Sequence, residues 1–333
     1  MFAAELGRSG EEPSFEGLLG PLDSASRAIP HLSGIGSLFR GGSRTYRQCV
    51  DTVSQHVREA HRLGLGVVLQ RIAACGRGQS GQLEESVLKV LTTLVDAPRL
   101  DGDTLTIATL NYDGLLHAGL LRLQEEGLYF SDLGDGRPAA QACRRVSDSI
   151  DLDASCIREF DDLPYDIHLI QLHGSLGWLY DPYEGTTWKF RLRDLRRMSY
   201  WTEFKDGRVC MTPQIVLTDQ KAKMIVDRPF SIAYKIFEDR LRSSDFWFIG
   251  GYAFGDEPVN AALRRAYQEA HVRGRQPRIL IADPDPSTCN KASQIFPPIN
   301  EWQDSFEYCD ALFPWVVDSF TFTEFFGYYQ RPF

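Results

Sequence analysis

The sequence predicts an α/β fold built around a parallel, doubly wound sheet. Short and continuously apolar runs alternate with amphipathic helical patterns, and several of the runs end in polar or glycine-rich turns. Continuous apolar runs are typical of strands that are buried on both faces, and their alternation with helices is typical of a parallel sheet. The runs lie at residues 104–110, 167–172, 214–217, 246–249 and 278–281.

The helical patterns account for much of the chain between these runs. The first begins at Thr45, where apolar residues from Tyr46 to Ala60 recur at the spacing of a single helical stripe. A second apolar pattern follows through residues 87–95. Further amphipathic helices are predicted near residues 111–123, 229–241 and 258–271.

The remaining segments set the expected domain limits. Residues 1–44 are rich in Gly, Ser and Pro and are predicted to be irregular, with brief helical turns. One principal domain is expected at 45–312, with insertions at about 130–165 and 180–208 that leave the sheet and return to it. The aromatic-rich tail at 313–333 is predicted to pack on that domain.

Composition limits the expected partners. The 333 residues carry a formal net charge of −9, which gives no general attraction to nucleic acid or to anionic lipid. The basic run at 189–197 is typical of a solvated face. Because the sequence has no signal-peptide pattern and no apolar stretch long enough to cross a membrane, we expect a soluble, cytoplasmic protein.

Cysteine spacing argues against a metal site. The seven cysteines contain no C-x-x-C pair, so the sequence predicts no structural zinc and fits reduced thiols in a cytosolic compartment. They are Cys49, Cys75, Cys143, Cys156, Cys210, Cys289 and Cys309.

Two strand ends carry candidate polar residues. Asn111 and Asp113 follow the run at 104–110, where either side chain serves as a helix cap or faces a ligand. His173 follows the run at 167–172 and precedes Gly174. A histidine at this position is either a structural residue or a group that exchanges a proton with a ligand hydroxyl. In open α/β sheets, ligands bind at the carboxyl ends of the strands.

A third strand end is rich in glycine. Gly250 and Gly251 end the run at 246–249, and Asp256 with Pro258 is typical of a helix start. Paired glycines permit close approach of a ligand to the backbone, and a helix N-terminus favours an anionic group. Asp283, after the run at 278–281, is placed either to bond a ribose or to form an Asp-Pro turn.

Four segments occur here in the order in which they occur in the Sir2-like domain family. They are TLNYD at 109–113, QLHGS at 171–175, GGYAFGDEPVN at 250–260 and ADP at 282–284. The chain resembles this family over roughly residues 104–285, and more weakly over PSFEGLLGPLD at 13–23. The resemblance implies a Rossmann-like domain with a smaller helical or insertion module, and an NAD site at the strand ends.

The resemblance also implies roles for individual residues. Asn111 would orient the nicotinamide ribose and an attacking water, and His173 would accept a proton near the ribose hydroxyls. NAD, as substrate, would be held by a set of pocket residues. These are Thr109, Asp113, Gly174, Ser175, Gly250, Gly251, Tyr252, Asp256 and Asp283.

The chain departs from the family pattern in two ways. Sirtuin protein deacylases carry a zinc module made of two C-x-x-C pairs, and this chain has none. In this respect the chain resembles the zinc-free branch of the family, which includes NAD-hydrolysing effectors of prokaryotic phage defence. The family's N-terminal G-A-G-x-S loop has no counterpart in residues 1–44. The glycine-rich stretch at 31–43 does not follow a predicted strand. We therefore expect weak or absent NAD hydrolysis, caused either by a start site placed too late or by true loss of the loop.

Three functions follow as hypotheses. The first is an NAD glycohydrolase acting in anti-phage defence, without a metal, and binding NAD or ADP-ribose. The second is a non-catalytic nucleotide-binding or scaffold module within a homo-oligomer or with an effector partner. An NAD-dependent deacylase ranks third, because the zinc module is absent.

Overall fold

A computed structural model describes most of the chain. The described residues are 19–26, 28–29, 44–78, 80–96, 104–112, 114–133, 149–151, 166–181, 185–190, 200–207, 211–216, 221–298, 305–311, 316 and 325. The helices are α1 (Arg44–Gly78), α2 (Ser80–Asp96), α3 (Leu115–Glu125), α4 (Tyr200–Lys205), α5 (Lys221–Met224), α6 (Phe230–Ser243), α7 (Glu257–Val272) and α8 (Ser287–Ile295). The strands are β1 (Leu105–Thr109), β2 (Phe130–Ser131), β3 (Ser149–Asp151), β4 (Ile167–Gln171), β5 (Gly174–Asp181), β6 (Thr186–Phe190), β7 (Thr212–Ile215), β8 (Phe246–Gly250), β9 (Arg278–Ala282) and β10 (Glu307–Cys309).

The chain divides into two compact units, each assembled from segments that are distant in sequence. The first unit comprises Met1–Cys75, Gly136–Asp151 and His173–Asp227. The second unit comprises Gly76–Asp135, Leu152–Leu172 and Arg228–Phe333.

Parallel strands in the second unit confirm the α/β class. They form two three-stranded sheets, with strand orders β1-β4-β2 and β10-β9-β8. Among the described strands no pairing joins these two sheets. A single doubly wound sheet, which the apolar runs predicted, is therefore not confirmed by these small sheets. The segment predicted as an insertion from residue 130 instead begins with β2, which pairs with β4.

Helix α2 contributes to two hydrophobic clusters of described residues in the second unit. Val87 and Leu91 pack in a cluster with Leu169 of β4 and with residues of α3. Val90, on a different face of the same helix, packs in a cluster with Leu280 of β9. All five side chains are at most 3% exposed, so α2 is buried along two rows.

Helices α6 and α7 pack against each other, and α6 also contacts β4. Arg242 of α6 bonds Glu269 of α7 at 2.9 Å and Glu238 of its own helix at 3.0 Å. Arg265 of α7 also pairs with Glu238. Because these groups are partly exposed, the network orients the two helices more than it stabilises them.

The first unit contains a four-stranded antiparallel sheet of order β3-β6-β5-β7. The run at 214–217 was predicted to join the parallel sheet, and this prediction is wrong, because β7 pairs antiparallel with β5. The insertion predicted from residue 180 likewise begins earlier, since β5 starts at Gly174.

Helix α1 has two apolar faces rather than the single stripe predicted. Val50 and Leu65 are buried at 9% and 3% exposure, whereas Tyr46 and Val53 are 42% and 52% exposed. The apolar residues from Tyr46 to Ala60 therefore do not share one side of the helix.

The chain termini are described only in part. Residues 19–26 form a helical segment in which Asp23 lies 3.5 Å from His61 of α1. In the tail, Val316 and Phe325 are buried in the cluster that contains Leu280. No helix in the described ranges has the length and apolar character needed to cross a bilayer.

Candidate functional site

The carboxyl ends of β1 and β4 lie side by side. These strands pair in parallel with Thr109 opposite Gln171. Beyond that pair, the Leu172 amide donates a hydrogen bond of 3.0 Å to the Thr109 carbonyl. The two segments that carry candidate chemistry therefore leave neighbouring strands at the same edge of one sheet.

Asn111 lies in a tight turn just past β1. Its backbone N–H donates to the Thr109 hydroxyl at 3.1 Å, and the residue is exposed. Helix α3 begins after Gly114, with no side-chain hydrogen bond at its cap. Asn111 is thus not the N-cap of α3. Asp113 lies outside the described residues.

His173 begins the third segment of the first unit, directly after Leu172. It is 3% exposed, and its carbonyl accepts the Val216 amide at 2.9 Å. Gly174 has φ +84°, a conformation that glycine adopts without strain. The Ser175 hydroxyl accepts the Gly177 amide at 3.1 Å and is buried. The QLHGS segment therefore passes from β4 into β5 without an intervening loop.

The ends of β8 and β9 also lie side by side. Gly250 pairs with Ala282, and the Gly251 amide donates to the Ala282 carbonyl at 2.9 Å. Gly251 is exposed and has φ +63°. The paired glycines and Asp283 therefore share one sheet edge, where backbone is open to close approach.

The loop after Gly251 is held by a compact set of hydrogen bonds. The Tyr252 hydroxyl lies 2.8 Å from Asn260 Oδ1, and Asn260 Nδ2 donates to the Phe254 carbonyl at 3.0 Å. Phe254 has φ +53°, and its ring lies 4.9 Å from that of Tyr252. Sequence reasoning missed this brace, which connects the loop to the first turns of α7.

The start of α7 carries its own carboxylate. Asp256 is the N-cap, and its Oδ1 accepts the Val259 amide at 3.2 Å. Pro258 has no N–H, and the backbone N–H of Asn260 donates to the Asp256 carbonyl. The predicted helix start is confirmed. The donors that would make it an anion site are, however, largely committed to Asp256.

Asp283 forms the Asp-Pro turn, which is one of the two roles predicted for it. Its Oδ1 accepts the Asp285 amide at 2.8 Å, and the residue is 8% exposed. Its carbonyl accepts the Tyr308 hydroxyl. Hydrogen bonds from Ser287 lower the pKa of Asp285. The turn fixes Asp283 next to the β8 and β9 ends without excluding a ribose contact.

Burial controls the protonation of the tyrosines at this edge. Burial, and then the nearby Asp256 carboxylate, raise the pKa of both Tyr252 and Tyr234. Burial raises the pKa of Tyr308 to about 12. These phenols remain protonated near neutral pH, so they act as hydrogen-bond donors and not as bases.

Two histidine contacts escaped the sequence analysis. His117, in the first turn of α3, lies 3.4 Å from the mostly buried Asp132 carboxylate and edge-on to Phe130. His168 of β4 lies 3.5 Å from Arg240 of α6. Burial, followed by the Arg240 charge, lowers the pKa of His168 to about 4. Each pair joins residues far apart in sequence, so no local pattern signals it.

The described ranges contain no cluster of three or more His, Cys, Asp or Glu side chains arranged to hold a metal ion. Comparison of the whole chain with protein-family models and with curated proteins gives no match. The chemistry of the site is therefore inferred from its own residues and from the motif resemblance.

Proposed function

We propose that this protein is a Sir2-like NAD glycohydrolase with a Rossmann-like nucleotide domain. The observation that supports the proposal is the parallel register of β1 and β4, in which Thr109 and Gln171, the first residues of TLNYD and QLHGS, lie opposite each other. Ligands of open α/β sheets bind at such edges. The paired ends of β8 and β9 supply a second polar, glycine-rich edge of the kind that binds nucleotides.

Two of the candidate residues are exposed to solvent, whereas His173 is buried at 3% exposure. Asn111 and Gly251 are both exposed at their strand ends. The backbone of Asn111 is fixed by the Thr109 hydroxyl while its side chain is not the cap of α3. In our proposal that amide side chain orients the nicotinamide ribose and a water molecule.

The proposed reaction is hydrolysis of the bond between nicotinamide and ribose. The bond from C1′ to the pyridinium nitrogen breaks, nicotinamide leaves with the bonding electron pair, and the water oxygen bonds to C1′. The proton lost from the water passes to His173 and then to solvent. Positive charge develops on the ribose in the transition state, so orientation of the water by Asn111 contributes to rate.

Recognition of the dinucleotide would involve both strand-end pairs. We propose that Gly250 and Gly251 permit backbone approach and that Asp283 bonds a ribose hydroxyl. Because Asp256 already caps α7, its carboxylate would disfavour a phosphate at that helix start. Thr109, Gly174, Ser175 and Tyr252 would then act by shaping the turns. A role in prokaryotic anti-phage defence, through depletion of NAD, is the biological context we propose.

A non-catalytic nucleotide-binding module is the competing function. The commitment of the α7 amides to Asp256 favours it, since a pyrophosphate then has fewer backbone donors available. The two functions differ in outcome, because a module binds NAD or ADP-ribose without releasing nicotinamide.

Calorimetric titration of the chain with NAD and with ADP-ribose, together with chromatographic measurement of released nicotinamide, tests the proposal. We expect saturable binding of both ligands and slow release of nicotinamide. Asn111→Ala and His173→Ala should abolish release while the circular dichroism spectrum is retained. Absence of binding by the folded chain would refute the site, and binding without release would establish the non-catalytic module.

Matched variants separate chemistry from general damage. Asn290→Ala and His56→Ala remove the same side chains at exposed helical positions away from the strand ends. Nicotinamide release should be unchanged in both. Release of acetyl groups from acetyl-lysine peptides, with NAD consumed in equal amounts, would instead indicate a deacylase.

A further inference from the structure

Helix α1 carries a second apolar row that the first unit does not bury. Tyr46, Val53, Ala60 and Val67 are all exposed, with Val53 and Val67 at 52% and 54%. They recur at intervals of seven residues. Exposed apolar side chains are unremarkable singly, but a regular row of them along one helix marks a contact surface.

A second row of the same helix completes a heptad pattern. Cys49, His56, Leu63 and Gln70 also recur every seven residues and are exposed, with Leu63 at 46%. The two rows are offset by three residues, as the two seam positions of a coiled coil are. We call residues 46–70 on these two rows the outer stripe.

The spacing of the outer stripe differs from that of the buried face. A strict seven-residue repeat drifts by about 20° per heptad on a straight helix, which suits a left-handed supercoil with another helix. Val50, Ser54, Leu65 and Leu69 are instead buried within the first unit. The outer stripe therefore fits a helical partner, and not a flat sheet or a bilayer surface.

We propose that the outer stripe of α1 binds the outer stripe of a second copy of this chain, in antiparallel orientation about a two-fold axis. In a two-fold contact one surface is used twice, so it must be complementary to itself. Pairing about the midpoint of positions 56 and 60 meets this condition. Leu63 then faces Val53, and Val67 faces Cys49.

The polar members of the stripe also find partners in this pairing. The ring of His56 faces the small Ala60, which leaves room for it. Tyr46 faces Gln70, whose Nε2 donates to Thr202 at 3.4 Å and whose Oε1 is the acceptor for the phenol proton. A parallel pairing would instead stack His56 on itself and Gln70 on itself, which is less favourable.

The size of the surface sets the expected affinity. The stripe spans 24 residue steps, or about 36 Å at 1.5 Å per residue. A contact strip about 10 Å wide covers on the order of 700 Å² over both copies, which is less than the roughly 1,200 Å² that a stable specific interface buries. We therefore expect a reversible dimer that dissociates on dilution.

Sedimentation equilibrium of the full chain, over about 1 to 200 µM, tests this proposal. We expect a monomer–dimer equilibrium. Val53→Asp should weaken dimerisation at least about tenfold, because a charge would be buried in an apolar contact. Val226→Asp is the matched control, since Val226 is 70% exposed in the same unit and outside α1. It should leave the equilibrium unchanged.

Disulfide cross-linking then tests the orientation. In Val67→Cys, mild oxidation should join Cys49 of one copy to position 67 of the other, as identified by peptide mass spectrometry. A monomer at all concentrations, or equal effects of the two aspartate variants, would overturn the proposal. Efficient cross-linking of Cys49 to Cys49 in the unaltered chain would overturn the antiparallel orientation. Capture of a different protein by the stripe, with no self-association, would overturn the choice of partner.

Discussion

The Leu172 amide donates to the Thr109 carbonyl at 3.0 Å, one step beyond the last residue pair of β1 and β4. This bond continues the strand pairing into the turns, so the turn that bears Asn111 starts from a fixed point. The Thr109 hydroxyl then accepts the Asn111 amide at 3.1 Å. Thr109 thus contacts both segments, because its carbonyl accepts the Leu172 amide and its hydroxyl accepts the backbone amide of Asn111.

Thr109→Val removes the hydroxyl acceptor while keeping the side-chain shape. We expect a loss of at most about 1 kcal/mol in the free energy of unfolding, measured in urea, because one exposed hydrogen bond is lost. NAD affinity should fall several-fold if Asn111 contacts the ligand. Thr109→Ser retains the acceptor and should bind NAD as the unaltered chain does. Equal NAD affinity in Thr109→Val and the unaltered chain would argue against a role for this turn.

Tyr252→Phe tests the brace over the loop after β8. The Tyr252 hydroxyl bonds Asn260 at 2.8 Å within a partly buried network, so its loss should cost about 1 kcal/mol of stability. In a double-mutant cycle with Asn260→Ala, the two losses should fall short of additivity by about 1 kcal/mol. Tyr129→Phe, at a ring that is 60% exposed, should change stability little. Additive losses would show that the hydroxyl contact contributes nothing.

Local patterns in the sequence predicted the strand pairs that matter for the site. The apolar runs at 104–110 and 167–172 became β1 and β4, which pair in parallel as predicted. The run that became β7 has the same apolar character but pairs antiparallel with β5. An apolar run indicates a strand but does not specify the direction of the neighbouring strand, and β1 itself is only half-buried.

Long-range contacts account for the part of the site that sequence could not provide. The Asp256 cap was predicted because Asp followed by Pro is a local signal for a helix start. The contact of His117 with Asp132 depends on how α3 packs against the end of β2. The contact of Tyr252 with Asn260 depends on the path of the intervening loop. Neither contact corresponds to a residue spacing in the sequence that would predict it.

Asp256→Asn separates a capping role from a ligand-binding role. Asparagine caps a helix about as well as aspartate does, so stability should fall by less than about 1 kcal/mol, whereas Asp256→Ala should lose about 1 kcal/mol or more. Removal of the carboxylate also removes repulsion of a pyrophosphate near the α7 start. We therefore expect Asp256→Asn to bind NAD about threefold more tightly, by calorimetry. Weaker binding in Asp256→Asn would instead assign the carboxylate to the ligand.

The low pKa of His168 gives a defined dependence of stability on pH. Its pKa is about 4 in the folded protein, below the ordinary value of 6.5, because burial and then Arg240 disfavour the charged ring. Above pH 6.5 the ring is neutral in both the folded and the unfolded states. Between pH 6.5 and 4 only the unfolded chain takes up the proton. The free energy of unfolding should therefore fall with pH across this window, by about 3 kcal/mol in total at its lower end.

Urea unfolding at intervals from pH 7.5 to 4.5 measures this dependence. His168→Asn replaces the ring with a neutral polar group that does not titrate, so its stability should fall less steeply over the same range. His56→Asn is the control, because His56 is an exposed histidine of α1 bonded only to its own helix turn in the described contacts. It should keep the steep fall of the unaltered chain. If His168→Asn and the unaltered chain lose stability equally as the pH falls, other groups cause the acid sensitivity. His168 would then have the same pKa in the folded and the unfolded protein.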